Sequence, residues 1–167
     1  GEGIGKIDGY TLLVKDTVIG DVVEVKIMKA KKNYGYARLM NIITPSKDRV
    51  TPECNIARQC GGCQLQAMSY AAQLKYKQKL VSDNLQRIGG LTEGVDYEMC
   101  DILGMDTPFR NRNKAQYPVG EDKDGNIIMG FYAGHTHSII PCDDCLLGDE
   151  NNSVILTAVK QWMKDYR

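Results

Sequence analysis

Through its first fifty residues the chain alternates apolar and polar positions with period two, most clearly in Val23-Glu24-Val25-Lys26-Ile27. This is the signature of strands with one buried face. It predicts strands over residues 4–7, 10–14, 21–30 and 36–44, separated by Gly9, Gly20 and Gly35. Short strands punctuated by glycine predict a small closed barrel of the OB-like kind over residues 1–49. Thr44-Pro45-Ser46 and Thr51-Pro52 then break the alternation and mark a boundary.

Beyond that boundary the period changes to that of a helix. Tyr70, Leu74, Lys77, Val81, Leu85 and Ile88 form one stripe, Ser69 is a candidate N-cap, and Gly89-Gly90 ends the run, so residues 69–88 are predicted helical. Strands are predicted over residues 97–104, 113–119, 127–132 and 136–140, with Asp124-Gly125-Asn126 as a hairpin turn. Residues 50–150 therefore read as a small α+β central domain. A last amphipathic stretch, 152–166, places Ile155, Ala158, Val159 and Trp162 on one face. Residues 151–167 read as the start of a linker helix. The fold class expected is β-rich and α+β, with no internal repeat.

Composition narrows the class. With 21 basic against 21 acidic residues the net charge is zero, and no apolar run reaches the length of a membrane span. No secretory pattern precedes the first strand, so a cytoplasmic protein is expected, in which six cysteines are reduced thiols or metal ligands rather than disulfides. The chain starts at Gly1 without a methionine, and trimming before that residue is expected. The neutral total hides an asymmetry: residues 1–50 hold nine Lys or Arg against six Asp or Glu. The densest basic run contains Lys29, Lys31, Lys32 and Arg38 interleaved with Tyr34 and Tyr36. Cations between aromatic rings suit a single-stranded polyanion. The same run also reads as a solvated sheet edge.

The chemistry is concentrated in cysteines. Cys54, Cys60 and Cys63 crowd around Gly61-Gly62, and Cys142 and Cys145 come about eighty residues later. Two readings fit this spacing. Two Cys-x-x-Cys knuckles, Cys60/Cys63 and Cys142/Cys145, would bind one tetrahedral zinc. Alternatively, Cys54, Cys60, Cys63 and one of the distal pair would hold a 4Fe–4S cubane, with Gly61 and Gly62 bringing backbone amides to sulfur. Cys100, on a predicted strand and outside every motif, reads as a buried small hydrophobe. His135 and His137 read as ordinary strand or surface residues, and Gln64 and Gln66 as supports of the cysteine loop.

Several segments together resemble a known family. They are Gly1-Glu2-Gly3-Ile4-Gly5, Gly20-Asp21-Val22-Val23-Glu24-Val25, the Cys-x5-Cys-Gly-Gly-Cys-x-x-Gln run from Cys54 to Gln66, Asn111-Arg112-Asn113-Lys114 through Val119, and Ile139-Ile140 through Cys145-Leu146. In these the chain resembles the TRAM-domain, iron–sulfur-containing RNA (uracil-5-)-methyltransferases that act on bacterial 23S rRNA. The resemblance spans nearly the whole chain. It implies Cys54, Cys60, Cys63 and Cys145 as ligands of a 4Fe–4S cluster, with Cys142 as a neighbour or alternative ligand. It also implies RNA contacts from Lys29, Lys31, Lys32, Tyr34, Tyr36 and Arg38 on the TRAM barrel, joined by Arg112 and Lys114, with Arg110 on the same strand.

The family reaction takes a methyl group from S-adenosylmethionine to carbon 5 of uracil, after a cysteine thiolate attacks carbon 6 and before a base removes the carbon 5 proton. In the family the nucleophile, the base and the S-adenosylmethionine site lie in a carboxy-terminal domain, and no Gly-rich strand-to-helix turn suited to that cofactor is present here. The expectation is the substrate-recognition and cluster-bearing part of a longer enzyme, monomeric, not catalytic alone, with the cluster as a structural staple. The alternatives are a stand-alone RNA-binding module and a zinc-stapled interaction module.

Overall fold

The computed structural model describes residues 1–134 and 136–166. Its first sheet contains β1 (Gly3–Ile7), β2 (Tyr10–Val14), β3 (Val22–Ala30) and β4 (Tyr34–Thr44). Their order is β1-β2-β4-β3, with β2 parallel to β4 and the other two pairs antiparallel. Asp8 and Gly9 turn β1 into β2 with φ of 48° and 81°, the doubly left-handed conformation that matches strand twist in a two-residue hairpin. Three register shifts interrupt the β3–β4 ladder. These irregularities add twist, yet β1 and β3 remain at opposite edges, with no pairing between them among the described residues. The sheet is therefore open, where the glycine punctuation predicted a closed barrel.

Alternation decides what each face does. Leu12, Val14 and Ala37 are buried together, with Tyr10, Val25 and Leu39 packed around them. The intervening residues Tyr36 and Arg38 point to solvent. Gly35 lies on the inner face, where an added Cβ would stand 3.0 Å from the Lys29 carbonyl and 3.2 Å from Leu12. The β3–β4 turn closes this tightly only because that side chain is missing.

One carboxylate ties the sheet to the cysteine-bearing segment. Asp21, its side chain 1% exposed, pairs with Arg49 at 2.5 Å. It also accepts hydrogen bonds from the Val18 and Ser46 amides at 2.6 and 2.9 Å. Arg49 donates onward to the Asp16 carbonyl at 2.9 Å. Residues 48–50 in turn pair with 67–69: Arg49 bridges Met68, Val50 N–H donates to the Ala67 carbonyl, and Ser69 N–H donates to the Asp48 carbonyl. The base of the cysteine loop is thereby closed against the sheet.

α1 (Tyr70–Arg87) begins where predicted, with the Ser69 hydroxyl accepting from the Ala72 amide. Its stripe is only partly covered. Leu74 and Leu85 are half-buried, whereas Val81 is 51% and Ile88 83% exposed. The strand predicted over residues 97–104 is absent, because side chains of α1 take over its backbone groups. Gln78 bonds the Cys100 carbonyl and the Ile102 amide, and the Tyr70 hydroxyl accepts from Met105 N–H. Cys100 is consequently exposed rather than buried.

The second sheet is β5 (Val119–Glu121), β6 (Ile127–Tyr132) and β7 (Ile139–Pro141), antiparallel in that order. Residues 113–117 do not join it, and Pro118 does so only through its carbonyl, which accepts from Gly130 N–H at 3.3 Å. This segment is mostly exposed, and Arg112 is drawn instead into a bridge with Gly148. At Gly130 a Cβ would come within 1.9 Å of the Ile140 carbonyl, so β6 and β7 approach closely only at glycine. α2 (Asn151–Asp165) lies over β6 and buries Leu156 against Ile127 and Met129, with Met163 beside them. The face predicted to be covered is turned outward: Ile155, Val159 and Trp162 are 56%, 39% and 61% exposed. Leu156, buried against Ile127 and Met129, fixes that rotation, and Lys160 pairs with Asp143 at 2.8 Å beside it.

Burial pushes the Asp21 carboxyl up, but Arg49 and the Ser46 and Val18 amides outweigh it and hold it at about 2, below the ordinary 3.8. The carboxylate thus contributes on the order of 2 kcal/mol that is present above pH 3.8 and lost as pH falls through about 2. Asp21→Ala, which strands Arg49, is expected to lower stability by about 3–5 kcal/mol in urea unfolding at neutral pH. It is also expected to flatten the acid limb of the wild-type stability curve.

Candidate cysteine centre and nucleic-acid interface

The proximal cysteines are set by a helical turn. The Cys54 carbonyl accepts from Ala57 N–H at 3.1 Å, and the Ile56 carbonyl from Cys60 N–H at 2.8 Å. After that turn Cys60 bridges Ala133, and Gly61 N–H donates to the Tyr132 carbonyl at 3.0 Å. A Cβ on Gly61 would meet that carbonyl at 3.0 Å and Gly134 at 3.1 Å. The glycine pair therefore does two different things. Gly61 docks the loop on the end of β6, and Gly62 alone turns its amide to sulfur, 3.4 Å from Cys60 Sγ. Gln66 supports the loop by accepting from Cys54 N–H at 3.4 Å, whereas Gln64 lies against Gly1.

The distal cysteines arrive on the turn after β7. Cys142 N–H donates to the Met129 carbonyl at 3.0 Å, which buries its side chain to 7% exposure. Asp143 anchors the turn to α2 through Lys160. Asp144 accepts a two-pronged contact from Arg110, 2.6 and 2.7 Å from its Nη1 and Nη2. Arg110 also donates to the carbonyls of Cys145 and Gly148 at 3.1 and 3.2 Å. It adopts φ of 54° to do so. The guanidinium holds the Asp144 carboxyl below the ordinary range.

Cysteines of the proximal and distal segments share one cleft. Burial raises the Cys63 thiol, Gln66 lowers it by a hydrogen bond, and the charges of Cys145, Cys60 and Cys54 raise it again. Burial, then Cys145, Cys54 and Cys60, push Cys142 up to about 12, so it remains a neutral thiol at neutral pH. Cys60, Cys63 and Cys145 line one cleft of about 470 Å³ with Arg112, Lys114 and Phe131. Among the described residues no three His, Cys, Asp or Glu side chains are grouped so as to hold a metal ion. Tyr117, stacked on Phe131 with centroids 4.8 Å apart, has a buried hydroxyl with no hydrogen-bond partner of full geometry; Asn152 is beside it. Its phenol feels the Cys145 and Cys142 charges after burial. The chemistry of the donors suits a sulfur-ligated group: soft ligands from two distant segments and one amide turned to sulfur. His137 packs edge-on against Tyr132, centroids 5.3 Å apart. His135 lies outside the described residues.

The basic candidates divide into two places. Tyr34, Tyr36 and Arg38 share the outer face of β4, with Lys29 opposite Tyr36 and Lys26 opposite Arg38. The Tyr34 and Tyr36 rings meet edge-on at 5.7 Å, and Lys31 Nζ stands 5.3 Å over Tyr34. Lys31 lowers the Tyr34 hydroxyl pKa, and Tyr34 raises that of Lys31. The Tyr10 hydroxyl braces the turn, donating to the Tyr34 carbonyl at 2.5 Å and accepting from Lys31 N–H at 3.1 Å. Lys32 is exposed on the same turn. Arg112 and Lys114 belong instead to the cysteine cleft. Arg110, expected among the phosphate contacts, is engaged by Asp144.

Residues 1–40 match the TRAM domain family. The match covers most of the amino-terminal sheet, called the TRAM sheet below. Over 166 residues, 99% of this chain, the sequence is 46% identical to an uncharacterized RNA methyltransferase of Clostridium tetani. It is 45% identical over 165 residues to another of Halalkalibacterium halodurans. The chain spans 35% of the length of each of these relatives. In fold, 99% of it superposes on 37% of the Pyrococcus abyssi tRNA (uracil-54, C5)-methyltransferase, a structure solved with S-adenosyl-L-homocysteine, at a TM-score of 0.62 and 22% identity. The chain is thus similar to RNA methyltransferases over 35% of their length, with a match to the TRAM family at residues 1–40.

Sequence reasoning missed the pairings of Asp21 with Arg49 and of Arg110 with Asp144, whose partners lie 28 and 34 residues apart. The Asp143-Asp144 pair between the distal cysteines was the one local sign that a cation would be recruited. Arg110→Ala is expected to loosen the 142–148 turn. Hydrogen exchange checks this: the Gly148 amide, which donates to the Cys145 carbonyl, should exchange about tenfold faster, as when a hydrogen bond to a charged group is lost. Arg110→Lys, lacking the planar fork, restores little of the loss.

Proposed function

We propose that the chain is the RNA-recognition and 4Fe–4S-bearing part of a 23S rRNA (uracil-5-)-methyltransferase, whose parent enzyme transfers a methyl group from S-adenosylmethionine to carbon 5 of uracil. The shared cleft of Cys60, Cys63 and Cys145, with Cys54 at the start of the same loop, in a chain similar to RNA methyltransferases, supports this reading. Residues 1–49 grip RNA, 50–150 hold the cluster, and 151–167 lead toward the domain that binds S-adenosylmethionine. We place the protein in the cytoplasm as a monomer. No helix among the described residues is long and apolar enough to cross a membrane.

In this reading the four cysteines are ligands and none is the nucleophile. Bound there, the cluster would cross-link the 54–63 loop to the 142–145 turn, segments whose closure is otherwise opposed by chain entropy. The chain's own residues prepare that junction. Arg110 holds the distal turn, Gln66 and Gly62 hold the proximal loop, and Cys142 stays protonated and buried behind it. Lys29, Lys31, Lys32 and Arg38 would take phosphates and Tyr34 and Tyr36 would take bases or riboses. Arg112 and Lys114 would extend the positive charge to the cysteine cleft.

Anaerobically purified protein should be brown and contain about four irons per chain, with matching sulfide. Serine at Cys54, Cys60, Cys63 or Cys145 should each abolish iron retention, whereas Cys100→Ser should keep it. One zinc, no visible colour and tolerance of Cys54→Ser would replace the cluster by a zinc-stapled binding module.

A further inference from the structure

The outer face of the TRAM sheet does not end at the strands. At the edge where β2 leaves the sheet, a cleft of about 370 Å³ is lined by Leu13, Lys15, Tyr36, Arg38 and Arg58, with Glu2 and Asp16 at its rim. Arg58 comes from the cysteine loop, on the helical turn between Cys54 and Cys60. Its guanidinium stands 3.7 Å from Asp16 and remains 70% exposed. Asp16 is itself fixed by its backbone, with φ of 63° and a carbonyl that accepts from Arg49. The two faces of this turn thus do different work: the sulfurs point toward the distal turn and Arg58 toward the sheet.

We propose that this cleft is a nucleotide site for single-stranded RNA, in which Lys15, Arg38 and Arg58 take the phosphate and Tyr36, with Leu13 beside it, takes the base. The inference rests on the RNA-binding reading above and extends it from the β3–β4 turn to the cysteine loop. Three cations line one cleft with one aromatic ring, and Glu2 and Asp16 line it with them. The chemistry favours an unpaired nucleotide, because a base can lie on Tyr36 only when it is not stacked in a duplex. The register makes the surface continuous. Tyr36 is opposite Lys29 on one side and beside Leu13 on the other, so a strand leaving Lys31 and Tyr34 crosses Tyr36 before it reaches Arg58. By this geometry the cysteine loop contributes to RNA affinity directly, through a side chain it positions.

The test is fluorescence anisotropy of a labelled single-stranded oligoribonucleotide with this chain across a salt series. Wild type is expected to bind, and to bind the matching RNA duplex more weakly. Arg58→Ala and Lys15→Ala should each weaken binding severalfold and reduce the salt slope by about 0.7, the loss of one phosphate contact on a single strand. Arg58→Glu should weaken it further. Tyr36→Ala should cost about 5-fold to 100-fold with the slope unchanged. Lys123→Ala, which removes one charge from the exposed β5–β6 turn, should change neither quantity. Circular dichroism confirms that each variant is folded. If Lys31→Ala and Tyr34→Ala weaken binding while all Arg58 and Lys15 variants bind like wild type, the cleft assignment fails and the RNA reading stands. If wild type binds no RNA, the RNA reading itself fails. Equal binding of duplex and single strand removes the stacking role of Tyr36.

Discussion

One buried carboxylate holds the architecture together. Asp21 gathers the β2–β3 loop, the chain after β4 and the guanidinium of Arg49. Arg49 in turn joins the strand-like pairing that closes the cysteine loop. The importance of this carboxylate reflects how little else is available. The apolar clusters are small, and no large side chain among the described residues is completely enclosed. A chain of this size with so thin a core depends on directional contacts to choose one arrangement of its parts. A desolvated carboxylate supplies that choice, since it is stable only when all its donors are in place.

The same logic is repeated at the distal end. Arg110 does for the 142–148 turn what Arg49 does for the proximal loop: it binds a carboxylate bidentately and spends its remaining donors on backbone carbonyls. Each cysteine-bearing segment is thus braced by one arginine drawn from elsewhere in the chain. Cys60, Cys63 and Cys145 face one cleft between these two braces, with Gly61 docked on β6. Cys142, though adjacent, is diverted into the core by its backbone bond to Met129.

Strand alternation divides the labour between the faces of the TRAM sheet. Leu12, Val14, Ala37 and Leu39 supply the packing, and Tyr36 and Arg38, alternating with them on β4, are freed from it. The cysteine loop extends this outer face through Arg58, so the surface proposed for RNA and the junction proposed for the cluster share one helical turn. The uncovered stripe of Ile155, Val159 and Trp162 on α2 is the converse case, an apolar face with no counterpart among the described residues.

Much of this was legible in the residues. Period-two alternation located all four TRAM strands to within two residues, Ser69 and Gly89 bounded α1, and Asp124-Gly125-Asn126 marked the β5–β6 turn, because each of these signals acts over a few bonds. The spacing of Cys54, Cys60 and Cys63 identified the candidate centre for the same reason. Sequence alone could not decide whether the sheet closed, which face of α2 was buried, whether residues 97–104 found a partner strand, or where Arg110 pointed. Those outcomes depend on segments about 20 to 35 residues apart competing for the same hydrogen bonds. Gln78 took the backbone of Cys100, Leu156 set the roll of α2 by packing on Ile127 and Met129, and Asp144 claimed Arg110. Local pattern names the elements, but the pairing of distant polar groups decides which of their surfaces remain free to act.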